Sequence, residues 1–575
     1  MTALETRPRS NSSTAEPSRL RILFQPKNLN RAALSVFLLI LGYLIITPLI
    51  KLQREALSDG AAGYSQAFGA DGIGRTIGYT IGLSLGSLII SLVLGTALAW
   101  AASRLPSGLG FLRIVPILPI VVPAVASVAG WAFLFSPRPG YLNALLRKLP
   151  WWSDLTEGPV DVYTLPWIVF ITGIGLSSFV FLFVSAGFQN INSEILEAAQ
   201  VSGSSQFKTF FKVTLPLLRP TLIYGGSVAF LLGLGQFTAP LLLGTNSGVT
   251  VITTEMYFLT TQSPVQTAAA AALGSPLMVI GLLLVLFQKL ALGNQKRFVT
   301  HGGKAFRSTG RPSWVGAGFI VLYFVVSTAL PIAALTFVSL SRYWSGNIDL
   351  SKLTTANFEA VMSDNVVPTA IQNSLIYSIV AVAIALPVGF IVSQVLVRGQ
   401  DFPILRTILD FVVAVPLGVP AVIFGIGFLF TYSEGPFVLY GTPWVLILVY
   451  VALMVPFATR MQLSTMLALG DQYIEASRVS GAGRLRTNVL IMLPLMRSSL
   501  AGAAALIFVL LTHEFSASLL VRSSTTQVMG TVLFDFWNTG TYPLAAAVAL
   551  IMTGVTAVGV GLAVLLGGSE SLSKL

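Results

Sequence analysis

Two stretches of this 575-residue chain share one pattern: EAAQVSGSSQFKTFFKVTLPLLRP at 197–220 and EASRVSGAGRLRTNVLIMLPLMRS at 475–498. In both, a glycine follows the glutamate by six residues, and a proline follows that glycine by thirteen. Extended without a gap to 197–244 and 475–522, the copies are identical at 17 of 48 positions. The matches include Glu, Ser, Gly, Thr, Pro and Arg, which a shared preference for Leu, Val and Ala does not produce. The chain therefore contains an internal duplication.

The spacing of the copies predicts how the duplicated halves are oriented. The offset of 278 residues contains six long apolar blocks, an even number. Both copies must then face the same side of a membrane, so the halves form a parallel repeat about an axis along the membrane normal. Parallel halves of this kind place a pathway at their interface, which favours transport over membrane enzymology.

Composition predicts an all-α integral membrane protein. Hydrophobic residues make up 54% of the chain and charged residues only 10%, against about 25% charged in a soluble domain. The mean hydropathy is +0.81. The net charge of +12 sits mainly in short polar connections, where the positive-inside rule places Lys and Arg, so we predict no nucleic-acid partner. The absence of cysteine excludes disulfides and thiolate sites, and only His301 and His513 remain for imidazole chemistry.

The apolar blocks predict about twelve transmembrane helices, since a span needs about 20 apolar residues. The first six fall near 32–50, 77–102, 114–136, 164–188, 221–243 and 268–290. The second six fall near 313–340, 373–397, 407–431, 443–460, 499–521 and 542–567.

The polar segments set the predicted domain boundaries and orientation. Residues 1–30 read as a disordered cytoplasmic tail and 291–312 as a basic cytoplasmic linker. The halves are 31–290, with its core at 73–290, and 313–568, with its core at 369–563. Basic connections on the side of the linker predict that both termini are cytoplasmic.

Each repeated loop predicts a helix, a turn and a second helix on the cytoplasmic surface. A carboxylate at a helix start favours the positive end of the dipole, and glycine accepts the positive φ that ends the first helix. Phe207, Phe210, Phe211 and Val213 are expected to form an apolar surface on the second helix. Two anchoring amphipathic helices are the simpler alternative, but they do not demand equal Glu, Gly and Leu-Pro spacing in both halves.

This pattern resembles the EAA loop in permeases of binding-protein-dependent importers. The resemblance covers about 73–290 and 369–563 and implies a type I ABC importer permease fold. It also implies that each loop is a coupling helix seated in a groove of a separate ATPase subunit. The residues carried over are Glu197, Ala198, Ala199, Gly203 and Pro216, then Glu475, Ala476, Ser477, Gly481 and Pro494. The second copy departs from the pattern only in Ser477, which replaces an alanine with another small residue.

The chain lacks the parts of an ATPase. No GxxxxGK[ST] phosphate loop occurs, so ATP hydrolysis is expected in a separate subunit, in two copies. The resemblance also implies an extracytoplasmic solute-binding protein that delivers a small-molecule or ion cargo. We predict a non-enzymatic subunit of the bacterial cytoplasmic membrane, in contact with lipid, with no cofactor and no metal site of its own.

Polar residues inside the span after each loop are the candidates for the translocation path. Gln236 and Thr238 interrupt the first copy, and His513, Glu514, Ser516 and Ser518 lie at the same depth in the second. Intramembrane polar groups are costly and mark pathways by default. The alternative is that they bond neighbouring helices and only hold the bundle together.

Fused double permeases of this length resemble ferric-iron transporters, so ferric iron is the predicted cargo. A buried carboxylate such as Glu514 suits a cation, but thiamine, 2-aminoethylphosphonate and polyamine systems have similar permeases. A twelve-helix secondary transporter is the rival of another class. It predicts a basic signature in the loop between the second and third spans of each half. That loop, about 103–112, holds only Arg104, so this prediction fails.

Overall fold

A computed structural model describes residues 26–189, 191–291 and 312–567. Every regular element in these ranges is helical. The predicted all-α membrane fold is confirmed. Nearly all of the predicted amino-terminal tail, and the predicted basic linker apart from its two end residues, lie outside the described residues.

Within 26–189 and 191–291 the first half contains twelve helices, α1–α12. They are α1 Pro26–Ala56, α2 Ser58–Gly69, α3 Ile73–Ala102, α4 Gly110–Val121, α5 Ala124–Phe135, α6 Tyr141–Leu146, α7 Leu165–Gln189, α8 Ser193–Val201, α9 Gln206–Leu217, α10 Arg219–Leu234, α11 Ile252–Thr261 and α12 Thr267–Ala291. Short 3-10 turns begin α4, and a π-helical turn, Pro240–Gly244, follows α10.

Within 312–567 the second half follows a similar order as α13–α24, but no helix there matches α6, and α22 stands where the first half has the π-helical turn. They are α13 Trp314–Ser339, α14 Ala356–Ser363, α15 Val366–Arg398, α16 Pro403–Gly418, α17 Ala421–Tyr432, α18 Pro443–Leu469, α19 Gln472–Val479, α20 Arg484–Leu495, α21 Arg497–Thr512, α22 Ser516–Val521, α23 Met529–Asn538 and α24 Tyr542–Gly567.

Eight helices of the described chain are long and apolar enough to cross a membrane, or twelve spans if four sharply bent pairs each count as one. The spans predicted near 114–136 and 407–431 are sharply bent helix pairs, because α4 meets α5 at 92° and α16 meets α17 at 110°. Pro123 and Pro420 stand at these corners with an extended valine before each. Proline disfavours helical backbone in the residue before it, which ends the preceding helix.

The spans that follow the repeated loops are also broken. The first was expected at 221–243, but α10 ends at Leu234 and helical structure resumes only at Thr238. The second was expected at 499–521, but α21 ends at Thr512 and α22 begins at Ser516. Both interruptions coincide with the polar clusters that the sequence singled out.

The core of each half is a pair of packed helices, α3 with α7 and α15 with α18. The first helix of each half reaches across to the other half. Helix α1 contacts α16 and α17, and α13 contacts α5. A Cβ on Gly427 would lie 2.7 Å from the Pro48 carbonyl oxygen, and one on Gly130 would lie 2.6 Å from that of Pro331. The two halves therefore interlock through matching close contacts.

Candidate functional site: the repeated loops and the broken helices

The first loop, 192–217, consists of α8, a tight turn and α9. The Asn192 side chain caps α8 by accepting a hydrogen bond from the Glu194 amide at 3.0 Å. At the other end Gly203 has φ +77°. Its N–H donates to Gln200 and that of Ser204 to Ala199, the paired bonds of a Schellman termination. The glycine is required because an L side chain disfavours this φ.

The second loop, 471–495, has the same shape. Gly481 has φ +78°, its N–H donates to Arg478, and the Ala482 N–H donates to Ser477. Helix α9 meets α10 at 72°, and α20 meets α21 at 74°. The positive φ expected from the glycine spacing is present in both copies.

The predicted coupling residues lie mostly on the outer surface of the loops. In the first copy, Glu197, Ala198, Gly203 and Pro216 are exposed and Ala199 is half-buried; in the second, Glu475, Ala476, Gly481 and Pro494 are exposed and Ser477 is buried.

Exposed apolar side chains accompany these residues at matching positions. Val201 is 89% exposed and Val479 91%. Phe207 and Phe211 in the first loop, and Leu485 and Val489 in the second, are also exposed. The expected apolar surface is only partly right, because Phe210 is buried. The sequence pattern of α9 did not distinguish the phenylalanine that faces the bundle from its exposed neighbours.

Different chemistry attaches each loop to its half. Phe210 packs against Trp100 of α3, with ring centroids 4.6 Å apart. In the second half Gln394 and Asn488 form a reciprocal amide pair, with N···O distances of 2.6 and 3.1 Å. The positions correspond, because Trp100 follows Gly95 and Gln394 follows Gly389 by five residues, and Phe210 aligns with Asn488 in the repeat.

The alanine-to-serine departure in the second loop has a structural partner. The Ser477 hydroxyl lies 2.8 Å from that of Thr487, and so joins α19 to α20. In the first loop the same positions hold Ala199 and Thr209. The Thr209 hydroxyl is buried and has no hydrogen-bond partner among the described residues.

Glu514 caps the helix that follows the second break. Its carboxylate accepts hydrogen bonds from the amides of Ala517 and Ser518, at 2.8 and 2.9 Å, and from the Ser518 hydroxyl. That hydroxyl also lies 2.8 Å from the hydroxyl of Tyr450. Both carboxylate oxygens are therefore engaged by the start of α22, and the contact between Ser518 and Tyr450 joins α22 to α18. Ser516 begins α22 and is half-buried.

Gln236 makes a looser arrangement at the matching position. Its Oε1 accepts from the Phe237 amide at 3.0 Å, and its Nε2 lies 3.4 Å from the Thr172 hydroxyl. Pro240 stands where the second copy has Ser518, so the amide and hydroxyl that Glu514 binds have no counterpart here. Thr238 is buried.

Aromatic rings close the interface at these breaks. Phe237 and Phe515, equivalent residues of the two halves, stack with centroids 5.8 Å apart and an interplanar angle of 28°. Both are buried. Tyr257 of α11 contacts Phe237, and Phe534 of α23 contacts Phe515. Sequence reasoning missed this cluster, although the phenylalanine repeated inside each polar motif marked its centre.

Other polar groups near the breaks have distinct environments. His513 is half-buried, and its buried Nδ1 has no hydrogen-bond partner in the part of the chain described. Asp410 and Arg460 form an ion pair at 3.0 Å between α16 and α18. Within 26–189, 191–291 and 312–567, no three His, Asp or Glu side chains are grouped as metal ligands.

The sequence also matches known proteins. Residues 91–292 and 385–568 each match the family model "Binding-protein-dependent transport system inner membrane component". The ferric transport system permease protein FbpB of Actinobacillus pleuropneumoniae is 26% identical over 551 residues, covering 93% of this chain and 78% of that protein. The putative ferric transport system permease protein FbpB 1 of Haemophilus influenzae is 25% identical, covering 75% of this chain and 68% of that protein.

Among solved structures, a bacterial ABC transporter that imports the acidic polysaccharide alginate is 24% identical, with a TM-score of 0.39 over 49% of this chain and 100% of that one. The family model matches more than half of the chain, once in each half. The chain therefore belongs to the binding-protein-dependent transport system inner membrane component family, and it is a fused, multi-pass permease subunit of an ABC importer in the inner membrane.

Proposed function

We propose that the two loops are the coupling elements of this permease and that each docks on one copy of a separate ATPase. The observation that carries the proposal is the matched exposure of Val201 and Val479, beside Phe207 and Leu485. Apolar side chains this exposed at equivalent places favour a partner surface. Both loops then lie on the cytoplasmic side, as do both chain termini.

The broken helices line the translocation path in this proposal. Non-helical backbone at membrane depth is tolerated only where protein buries it or where it lines a water-filled cavity. Discontinuous spans in corresponding places of two repeats also point to the binding site of transporters. Phe237 and Phe515 then close the path across the pseudo-twofold axis. Glu514 holds the shape of the second break through its hydrogen bonds, and Gln236, Thr238, His513, Ser516 and Ser518 lie beside it.

Ferric iron, delivered by an extracytoplasmic binding protein, is the proposed cargo. The support is the length of the matches to two ferric transport system permeases, one of which covers 93% of the chain. Thiamine, 2-aminoethylphosphonate and polyamines remain the alternatives to test. A gradient-driven secondary transporter is disfavoured by membership in the importer family.

The coupling role is tested by placing charge on the exposed loop residues. The permease is purified in mild detergent with the ATPase encoded beside it, and ATP hydrolysis is measured with and without loaded binding protein. Val201→Asp together with Val479→Asp should reduce the stimulation at least tenfold, because both side chains are solvent-exposed before docking. Leu350→Asp is the control, since Leu350 is 67% exposed in the connection expected on the other side. Unchanged stimulation in the double variant would overturn the docking role.

The turn glycines give a second test of coupling, with variants that should still insert into the membrane. No atom outside the adjacent residues lies within 4 Å of a Cβ built at Gly203 or Gly481, so the branch point of a valine side chain has open space there. Valine does strain a positive φ, at a cost of about 1–3 kcal/mol. Gly203→Val with Gly481→Val should uncouple ATP hydrolysis from uptake while the permease stays in the membrane. Normal uptake would contradict the proposal.

The cargo is identified separately, by uptake of radiolabelled ferric iron into proteoliposomes that contain the permease, ATPase and binding protein. Competition with unlabelled thiamine, 2-aminoethylphosphonate and spermidine covers the alternatives. ATP-dependent uptake of ferric iron that the other solutes do not inhibit supports the ferric proposal. If one of the other solutes stimulates ATP hydrolysis without iron, that solute replaces ferric iron as the proposed cargo.

A further inference from the structure

The two places where the halves interlock are built differently. The first seam lies between α1 and the bent pair α16–α17, and the second lies between α13 and the bent pair α4–α5. They correspond residue by residue, because Pro48 faces Gly427 and Pro331 faces Gly130. Phe430 and Phe133 are each three residues beyond those glycines.

Aromatic side chains fill the second seam. Phe133 is fully buried, with its ring centroid 4.8 Å from that of Trp344 and 5.8 Å from that of Trp537. Tyr542 contacts both tryptophans at 5.0 and 5.1 Å. Three of these four ring pairs are edge-to-face and the pair of Phe133 with Trp537 is tilted, so the rings pack against one another across this seam.

The first seam is open. A cleft of about 1250 Å³ runs between α1 and α12 of the first half and α16–α17 of the second. This volume exceeds the ~300–1,000 Å³ of typical small-molecule sites. Apolar side chains of the spans form its walls: Leu49, Met278, Leu282, Phe411, Val415 and Phe430.

Charged side chains form the rim of the cleft. Lys51 and Arg54 lie in the last turns of α1, beside Glu55, and Glu434 follows α17. Glu55 accepts a hydrogen bond from Thr267 at 2.6 Å. Among the described residues, Lys51, Arg54 and Glu434 make no ion pair within 4 Å.

The matching positions of the second seam carry no charge. Counted from the two prolines, Lys51, Arg54 and Glu55 correspond to Ala334, Phe337 and Val338. The charges are therefore not a general requirement of the interlocking contact. They are confined to the seam that stays open.

We propose that the first seam binds a phospholipid with a zwitterionic amino headgroup, of the phosphatidylethanolamine kind. Its phosphate lies between Lys51 and Arg54, its ammonium group faces Glu434, and an acyl chain runs along Leu49 and Met278. The walls belong to membrane spans, and Lys51 and Arg54 stand at the end of α1, where long cationic side chains reach the interface. A ligand for this cleft must be apolar at depth and charged at the rim, as a phospholipid is. The outer-leaflet location of the site rests on the orientation proposed above.

Lipid retention tests the site without any transport assay. The full-length permease with its ATPase is reconstituted in nanodiscs of phosphatidylethanolamine and phosphatidylglycerol, extracted, and measured by native mass spectrometry. Lys51→Ala with Arg54→Ala should lower retained phospholipid at least tenfold. Met278→Trp should do the same with the rim intact, by filling the acyl groove. Val279→Trp is the matched control, because Val279 is half-exposed on the same helix but does not line the cleft.

Headgroup preference is the second readout. Glu434→Gln should reduce the preference for phosphatidylethanolamine over phosphatidylglycerol to near unity while total retention persists. Equal retention in the wild type, the double rim variant and Met278→Trp would overturn the proposal. So would a co-purifying polypeptide that Met278→Trp displaces, because the occupant would then be a protein. Loss of retention in Met278→Trp with normal ATP hydrolysis separates this site from the coupling proposal.

Discussion

The two repeated loops reach one shape through different chemistry. Their turns differ by only one degree in φ and their bends by two degrees, 72° against 74°. The first loop is held by aromatic packing of Phe210 on Trp100, and the second by hydrogen bonds between Gln394 and Asn488. Geometry is therefore the shared property of the loops, whereas the contacts behind them have diverged.

The same division extends to the breaks that follow the loops. The first break has Pro240, which needs no amide partner, and the second has Ser518, whose amide and hydroxyl both bind Glu514. The second half thus relies on polar groups that are satisfied only in pairs. Buried polar groups cost little when paired and much when one partner is removed. The two halves should respond differently to equivalent truncations.

The largest difference is expected at the loop attachments. Phe210→Ala removes a buried ring and should destabilise the permease by about 3–5 kcal/mol. Asn488→Ala removes two hydrogen bonds from a partly exposed pair, at about 0.5–1.5 kcal/mol each. Thermal unfolding of the detergent-solubilised complex can be followed by size-exclusion chromatography. The melting temperature of Phe210→Ala should be clearly lower than that of Asn488→Ala.

An exchange of the two contacts sharpens this test. Trp100→Gln with Phe210→Asn installs the amide pair of the second half in the first loop. The double variant should be more stable than Phe210→Asn alone, because the introduced asparagine regains a partner. If the stability lost by the double variant equals the sum of the losses in Trp100→Gln and Phe210→Asn, the two contacts are not interchangeable. The proposed equivalence of the two positions then fails.

The next difference concerns the breaks. Glu514→Ala leaves the amides of Ala517 and Ser518 without their acceptor, and each unsatisfied buried group costs about 1–3 kcal/mol. Gln236→Ala removes one hydrogen bond and one long contact, so about 1 kcal/mol is expected. Assembled protein in the membrane fraction, compared with uptake per assembled permease, measures the two effects. Reduced uptake with full assembly in Glu514→Ala would instead favour direct contact with the cargo.

The sequence predicted the long helices well, because their apolar blocks are continuous. Block 542–567 corresponds to α24, Tyr542–Gly567, and block 164–188 to α7, Leu165–Gln189. The corners at Pro123 and Pro420 were missed, because valine before proline does not by itself mark a helix end: Val415-Pro416 lies inside α16 and Val455-Pro456 inside α18. A hydropathy profile does not detect such bends, because the helices on both sides of each bend are apolar.

The candidate site was predictable in position but not in contacts. Repeat spacing located Gly203, Gly481 and the polar clusters, because φ and helix interruption are local properties. The stacking of Phe237 on Phe515 joins residues far apart in the chain, and no local pattern encodes it. The Glu514 cap became visible only when the break placed its carboxylate over the start of α22.

The smallest expected effect lies inside the loops, where one hydroxyl distinguishes them. Ser477→Ala removes the bond to Thr487 and should cost about 1 kcal/mol. Ala199→Ser supplies a hydroxyl for the buried Thr209 and should stabilise the first loop by about 0.5–1.5 kcal/mol, a rise of no more than about 2 °C in melting temperature. Ala198→Ser is the control, because Ala198 is exposed and should leave the melting temperature unchanged. If Ala199→Ser raises the melting temperature but does so no longer when Thr209→Val is also present, the new hydrogen bond is the cause. If the rise persists with Thr209→Val, it comes from helix α8 alone.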